Sequence, residues 1–190
     1  RRPLVLDHAW RVQLEDEGPP PPAQCRVIDL DTGTHCDVDV TDGLIDQLML
    51  NGSSEVTWAG DERRLYVFHH PQGGARAALV EIDAITGARR DVFVLDEGPL
   101  YEANQYLYSL PLVHVSPASG EALVFSQRDG WGHLYRYDLA SGSCLNRVTD
   151  GELVVRDLLH VDESRREVTY LAGTASDGGN PSWRRVYRAG

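Results

Sequence analysis

The chain has 190 residues, 42% of them hydrophobic, enough to bury a core as one domain. Its net charge of −11 argues against a nucleic-acid partner, because phosphate binding needs clustered positive charge. No apolar run approaches the ~20 residues of a membrane-spanning helix, so no membrane partner is expected, and no signal peptide opens the chain.

Residues 1–23 are the least regular. Leu4-Val-Leu6 and Trp10-Arg-Val-Gln-Leu14 are short strand candidates, and Glu15-Asp-Glu-Gly-Pro-Pro-Pro-Pro22 then interrupts any pattern. Four prolines remove backbone donors and favour an extended linker. Residues 24–40 form one hairpin, read as the outer two strands of a first repeat. A fuller repeat follows, with strands at 55–58, 65–68, 77–82 and 91–95. The next places strands at 112–115, 122–126, 133–139 and 144–149. The last has strands at 157–161, 167–172 and 184–188. Alternating or short apolar runs bounded by turn residues carry each assignment. Helix signals are nearly absent; 44–50 could form one turn.

One turn recurs. Asp29-Leu-Asp-Thr-Gly33, Asp83-Ala-Ile-Thr-Gly87 and Asp138-Leu-Ala-Ser-Gly142 share the form D-x-x-[ST]-G, and their first residues stand 54 and 55 positions apart (29 to 83 to 138). Asp and Ser or Thr can bond the nearby backbone, and Gly supplies a positive φ. Repeats of this length built from several strands mark propeller blades, four strands to a blade. The predicted fold is therefore all-β: a partial β-propeller over 24–190 with about two full and two partial blades, beginning and ending inside a repeat. Arg63-Arg64, Arg89-Arg90, Arg165-Arg166 and Arg184-Arg185 fall at solvated strand ends.

Cysteine and histidine spacing yields no metal or cofactor site. Cys25, Cys36 and Cys144 form neither a C-x-x-C nor an even set. A Cys25–Cys36 bridge across the first hairpin remains open. A tight turn centred on Thr32-Gly33 would set Cys36 opposite Asp29, which favours free, buried thiols. His69 and His70 are adjacent on a strand and point to opposite faces, a poor chelating pair. Asp177-Gly-Gly-Asn180 lacks the alternating acids of a calcium loop. Trp131 and Trp183 occupy similar places in consecutive repeats and are expected to pack between blades.

Ser126-Gln-Arg-Asp-Gly-Trp-Gly-His-Leu-Tyr-Arg-Tyr-Asp-Leu139 resembles the S-x-R-D-G-W-x-H-L-Y segment of the dipeptidyl peptidase IV family of prolyl oligopeptidase-like serine peptidases. Glu55-Val-Thr-Trp-Ala-Gly-Asp-Glu-Arg63 resembles a second family segment. A third is resembled by Val154-Val-Arg-Asp-Leu-Leu-His-Val-Asp162 followed by Ala175-Ser-Asp-Gly-Gly-Asn-Pro-Ser-Trp-Arg-Arg-Val-Tyr-Arg188. The resemblance implies an eight-bladed propeller capping an α/β-hydrolase domain of the same parent chain, and removal of N-terminal dipeptides with proline or alanine second. The family's G-x-S-x-G nucleophile motif is not in these 190 residues. Its paired amine-binding glutamates fall, by order, upstream of residue 1. No catalytic residue is therefore expected here. The implied role is scaffold and one wall of the cavity that receives the peptide substrate.

In a four-stranded blade the connection between strands two and three shares a face with the crossover between blades, and the D-x-x-[ST]-G turns lie opposite. The family's crossover carries aromatic and arginine side chains toward the substrate. The matching stretch here, Glu97-Gly-Pro-Leu-Tyr-Glu-Ala-Asn-Gln-Tyr-Leu-Tyr108, has no arginine. The candidate cavity residues are Tyr101, Glu102, Tyr106 and Tyr108 on this crossover, with Arg128 and Asp129 on the neighbouring turn. The competing reading is a non-enzymatic propeller that binds proteins, since propellers host both functions. A homodimer through exposed sheet edges is a further expected partner.

Overall fold

The computed structural model describes residues 25–39, 55–69, 76–98, 111–174, 176, 180 and 182–190, and every regular element among them is a β-strand. The first sheet pairs β1 (Cys25–Ile28) with β2 (His35–Val38). The second is a meander of β3 (Glu55–Trp58), β4 (Arg64–His69), β5 (Arg76–Asp83) and β6 (Arg89–Asp96). The third repeats that order with β7 (Val113–Ser116), β8 (Glu121–Ser126), β9 (His133–Asp138) and β10 (Cys144–Arg147). The fourth holds β11 (Leu153–Asp162), β12 (Glu167–Thr174) and β13 (Arg185–Ala189). All strand pairs within these sheets are antiparallel. The architecture is an all-β partial propeller. The residues at 1–23, the candidate turn at 44–50, His70 and Tyr101, Glu102, Tyr106 and Tyr108 lie outside the described residues.

The three apolar cores lie between successive sheets. Alternation along a strand sends neighbouring side chains to opposite faces, and β8 shows the result. Its Ala122 and Val124 pack on the second sheet, while Leu123 and Phe125 pack on the fourth. β4 divides likewise: Tyr66 and Phe68 face the third sheet, Leu65 and Val67 the first. Strands buried on both faces carry continuous apolar runs, which explains Leu65-Tyr-Val-Phe68 and Ala122-Leu-Val-Phe125.

The recurring turn is one structure used three times. In each copy the aspartate carbonyl accepts from the glycine N–H, at 2.9, 2.8 and 2.9 Å for Gly33, Gly87 and Gly142. Each aspartate carboxylate also accepts backbone N–H groups inside the loop: Asp31 and Thr32 on Asp29, Ile85 and Thr86 on Asp83, Ser141 on Asp138. Those bonds favour the ionised carboxylate. The pKa of Asp83 falls to about 2, foremost through the Thr86 N–H and then the Arg63 guanidinium. The three glycines have φ of 71 or 72°.

Two expectations change. The first hairpin closes through residues 29–34 rather than a two-residue turn, so Cys36 lies opposite Val27, not Asp29. Cys25 and Cys36 are half-buried and free, Cys144 is exposed and free, and the Cys36 thiol donates to the Ala84 carbonyl of the second sheet at 2.9 Å. Trp131 and Trp183 are not buried between blades; they are 38% and 64% exposed. Both stand on connecting turns, where burial depends on neighbouring segments and not on strand alternation.

Candidate functional site

The meander order sets the β8–β9 connection and the C-terminal ends of β6 and β10 on one face, opposite the aspartate-glycine turns. On that face the turn at 127–132 is held from below and from both sides. Gly130, at φ 84°, lets the turn close with its N–H on the Gln127 carbonyl at 2.9 Å. Gly132 then passes where a side chain would not fit: a Cβ would lie 2.7 Å from Phe125 and from Val154. Its carbonyl accepts the Val155 N–H at 2.8 Å, tying the third sheet to the fourth.

Arg128 is the centre of the turn's polar network. Its Nε donates to Ser126 Oγ at 2.8 Å. Its Nη2 donates to Glu97 Oε1 at 3.0 Å and to the Tyr137 hydroxyl at 2.5 Å. The guanidinium lies over the Tyr135 ring, 4.4 Å from its centroid, an attraction between cation and ring quadrupole. Glu97, just beyond β6, is 11% exposed at its side chain, and Arg128 is 31% exposed. Both Glu97 oxygens are used: Oε1 also accepts from Ser126 Oγ at 2.5 Å, and Oε2 from the Gln127 N–H at 3.1 Å.

Asp129 faces the other flank. It accepts from the Tyr135 hydroxyl at 2.5 Å and from Arg147 Nη1 at 3.1 Å, and Arg147 also holds Asp150. The Tyr135 bond, aided by Arg147, lowers the Asp129 carboxyl pKa. Burial foremost, then Asp129, pushes the Tyr135 hydroxyl pKa up. Burial also raises that of Tyr137, against the pull of Arg128. Beneath the turn His133 is fully buried, its Nδ1 3.0 Å from Thr149 Oγ1. Burial, then Arg147, lowers its pKa.

Of the sequence candidates the structure therefore brings together Arg128 and Asp129, on one turn and in one network. Glu97, Ser126, Tyr135, Tyr137 and Arg147 belong to that network and were not singled out. Glu97 and Arg128 stand 31 residues apart on different sheets, beyond the reach of local pattern. A cleft of about 270 Å³ opens toward the opposite face between the third and fourth sheets. Its central carboxylate, Glu121, is already engaged by Arg166 at 2.8 and 3.1 Å. Among the described residues no group of three or more His, Cys, Asp or Glu is placed to hold a metal ion.

Comparison with solved structures finds the same fold. The dipeptidyl peptidase 4 of Porphyromonas gingivalis matches with a TM-score of 0.62 at 19% identity, over 87% of this chain and 21% of that one. A Bacteroides ovatus protein described as a dipeptidyl aminopeptidase IV matches with a TM-score of 0.57 at 20% identity, over 79% of this chain and 22% of that one. TolB of Acinetobacter baumannii matches with a TM-score of 0.52 at 16% identity, over 86% and 34%. The chain thus spans about a fifth of the length of the two peptidases. Residues 18–190 match the family described as the dipeptidyl peptidase IV (DPP IV) N-terminal region, and the chain belongs to that family.

Proposed function

We propose that this chain is the propeller section of a serine exopeptidase that removes N-terminal dipeptides with proline or alanine second. It supplies scaffold and one wall of the substrate cavity. The family match over 18–190 is the observation that carries the reading. The turn at 127–132, with Arg128 and Asp129, supports the wall assignment, because it is rigidly buttressed on the face that also bears the C-terminal ends of β6 and β10. Tyr101, Glu102, Tyr106 and Tyr108 are proposed for the same wall by their position in the crossover sequence.

Peptide hydrolysis by a serine needs nucleophile, base and oxyanion donors assembled in one place. That chemistry is assigned to an α/β-hydrolase domain of the parent chain. The propeller's share is positioning: excluding all but a narrow peptide end and fixing it against the nucleophile, which lowers the entropic part of the barrier. A chromogenic X-Pro dipeptide substrate tests the reading, offered to this chain and to the native reading frame extended to its own ends. Activity only in the long form, lost when its G-x-S-x-G serine is replaced, is expected. A folded long form inert toward X-Pro and X-Ala substrates would turn the assignment to a protein-binding propeller.

A further inference from the structure

We infer that Glu97 is a positioning residue that holds the turn at 127–132, and the half-exposed Trp131 it carries, in the geometry the substrate meets. The inference rests on the proposed peptidase reading. Its grounds are geometric. A single carboxylate, 11% exposed, receives a hydroxyl, a backbone N–H and a guanidinium from three consecutive residues: Ser126, Gln127 and Arg128. These are the last residue of β8 and the first two of the turn. Bonds from charged donors or to charged acceptors are about twice as strong as neutral ones. Arg128 then passes the constraint on, through Tyr137 and the face of Tyr135, to β9 on the far side of the turn.

Glu97 itself is anchored. It follows β6, whose Phe93 stacks on Tyr137 at 4.2 Å between ring centroids. Gly98, at φ 86°, follows it immediately in left-handed backbone. The carboxylate is thus a fixed post standing on the second sheet, and the turn of the third sheet hangs on it. The apolar core between the two sheets is built from other residues, among them Phe68, Leu79, Val124 and Tyr135, and does not include Glu97. A post of this kind places Trp131, 38% exposed, on a defined side of the cavity wall.

The test is Glu97→Gln in the full native reading frame. Glutamine keeps the size but sets a donor where one oxygen accepts, so either the Gln127 N–H or the Ser126–Arg128 pair loses its acceptor. The expected result is a KM for an X-Pro dipeptide substrate raised about tenfold with kcat within about twofold. Hydrogen exchange should be faster over 127–132 and unchanged over β4 and β5. Glu97→Asp, which keeps the charge, should recover part of the KM. Glu121→Gln, which breaks the Arg166 pair toward the opposite face, should leave KM unchanged. An active parent enzyme whose KM and turn exchange are the same in Glu97→Gln overturns the inference, as does an equal effect from Glu121→Gln. If the parent cleaves no dipeptide substrate, the peptidase reading fails instead. Exchange over 127–132 then decides alone whether Glu97 holds the turn.

Discussion

Replacing the glycine of each recurring turn by alanine separates two duties that one residue performs. All three glycines have φ near +71°, and an alanine held in left-handed backbone costs about 1–2 kcal/mol. Their surroundings differ. A Cβ on Gly33 would meet nothing within 4 Å, one on Gly87 would lie 2.5 Å from the Asp37 carbonyl oxygen, and one on Gly142 would lie 1.9 Å from that of Val92. Both obstructing atoms are backbone of the preceding sheet, so relief requires moving one blade against another. Overpacking of this kind adds about 1–3 kcal/mol. Gly33→Ala should therefore cost about 1–2 kcal/mol and Gly142→Ala about 2–5 kcal/mol, with Gly87→Ala between them. The assay is urea denaturation followed by tryptophan fluorescence. With an m-value of about 2 kcal/mol/M, the midpoint falls by about 1–2.5 M for Gly142→Ala and by about 0.5–1 M for Gly33→Ala. Equal losses at all three positions would show that only the dihedral matters and that the close approach between sheets carries no energy.

Two pH effects follow from the charges described. His133 is buried with its pKa below the ordinary histidine value, and Arg147, Asp129 and Asp150 are the charged groups that bear on it. The folded state thus binds its proton less readily than the unfolded chain. This contribution is full above about pH 6.5, the unfolded value, and is lost as pH falls below it. The slope of unfolding free energy between pH 7.5 and 5.5 should be shallower in His133→Asn than in the parent, and an identical slope would contradict the burial argument. Asp61 and Asp83 are both lowered to about 2, Asp61 foremost by the Arg64 N–H and Asp83 by the Thr86 N–H. Their stabilisation is present above about pH 4 and disappears as pH falls toward 2. Asp83→Asn should flatten the acid limb of a pH titration of stability, and an unchanged limb would show that the turn carboxylate does not report on folding.

The parts legible in the sequence are those whose cause is local. The D-x-x-[ST]-G turns carry their own acceptors and their own left-handed residue, so each copy announces itself. In the second and third sheets such a turn joins the last two strands, and the remaining strands fall where alternation puts them. β11 shows the limit. Alternation points to 157–161, yet the strand runs Leu153–Asp162, because irregularities at Val155/Asp157 and Leu158/His160 break the period-2 pattern. Cys36 shows another, since the register of a hairpin depends on loop length, and six residues separate β1 from β2. At the site, Arg128 and Asp129 were legible as members of an exposed turn. Their partners Glu97, Tyr137 and Arg147 were not, because the contacts cross sheets or strands at separations no local pattern encodes.

The position of that turn within the arc also has a physical reason. The outer strand of the second sheet is covered by the next blade, not by its own. Val92, Phe93 and Leu95 of β6 are buried because the third sheet brings Tyr137 and Gly142 over them. The equivalent strand of the third sheet, β10, has all four residues exposed among the described contacts, Leu145 at 48%. Stability in such an arc is close to a sum of neighbour terms, so strands without a covering neighbour open first. β8 and β9 carry apolar contacts on both faces, to the second sheet and to the fourth. The turn that joins them is therefore anchored to strands that open late, and it is crossed by bonds from Glu97 on one side and Gly132 to Val155 on the other. In the cavity-wall role proposed for it, the turn must hold its shape while substrate and product exchange. The middle of the arc, where each sheet has two neighbours, is where a repeating fold can provide that without any special reinforcement beyond one carboxylate.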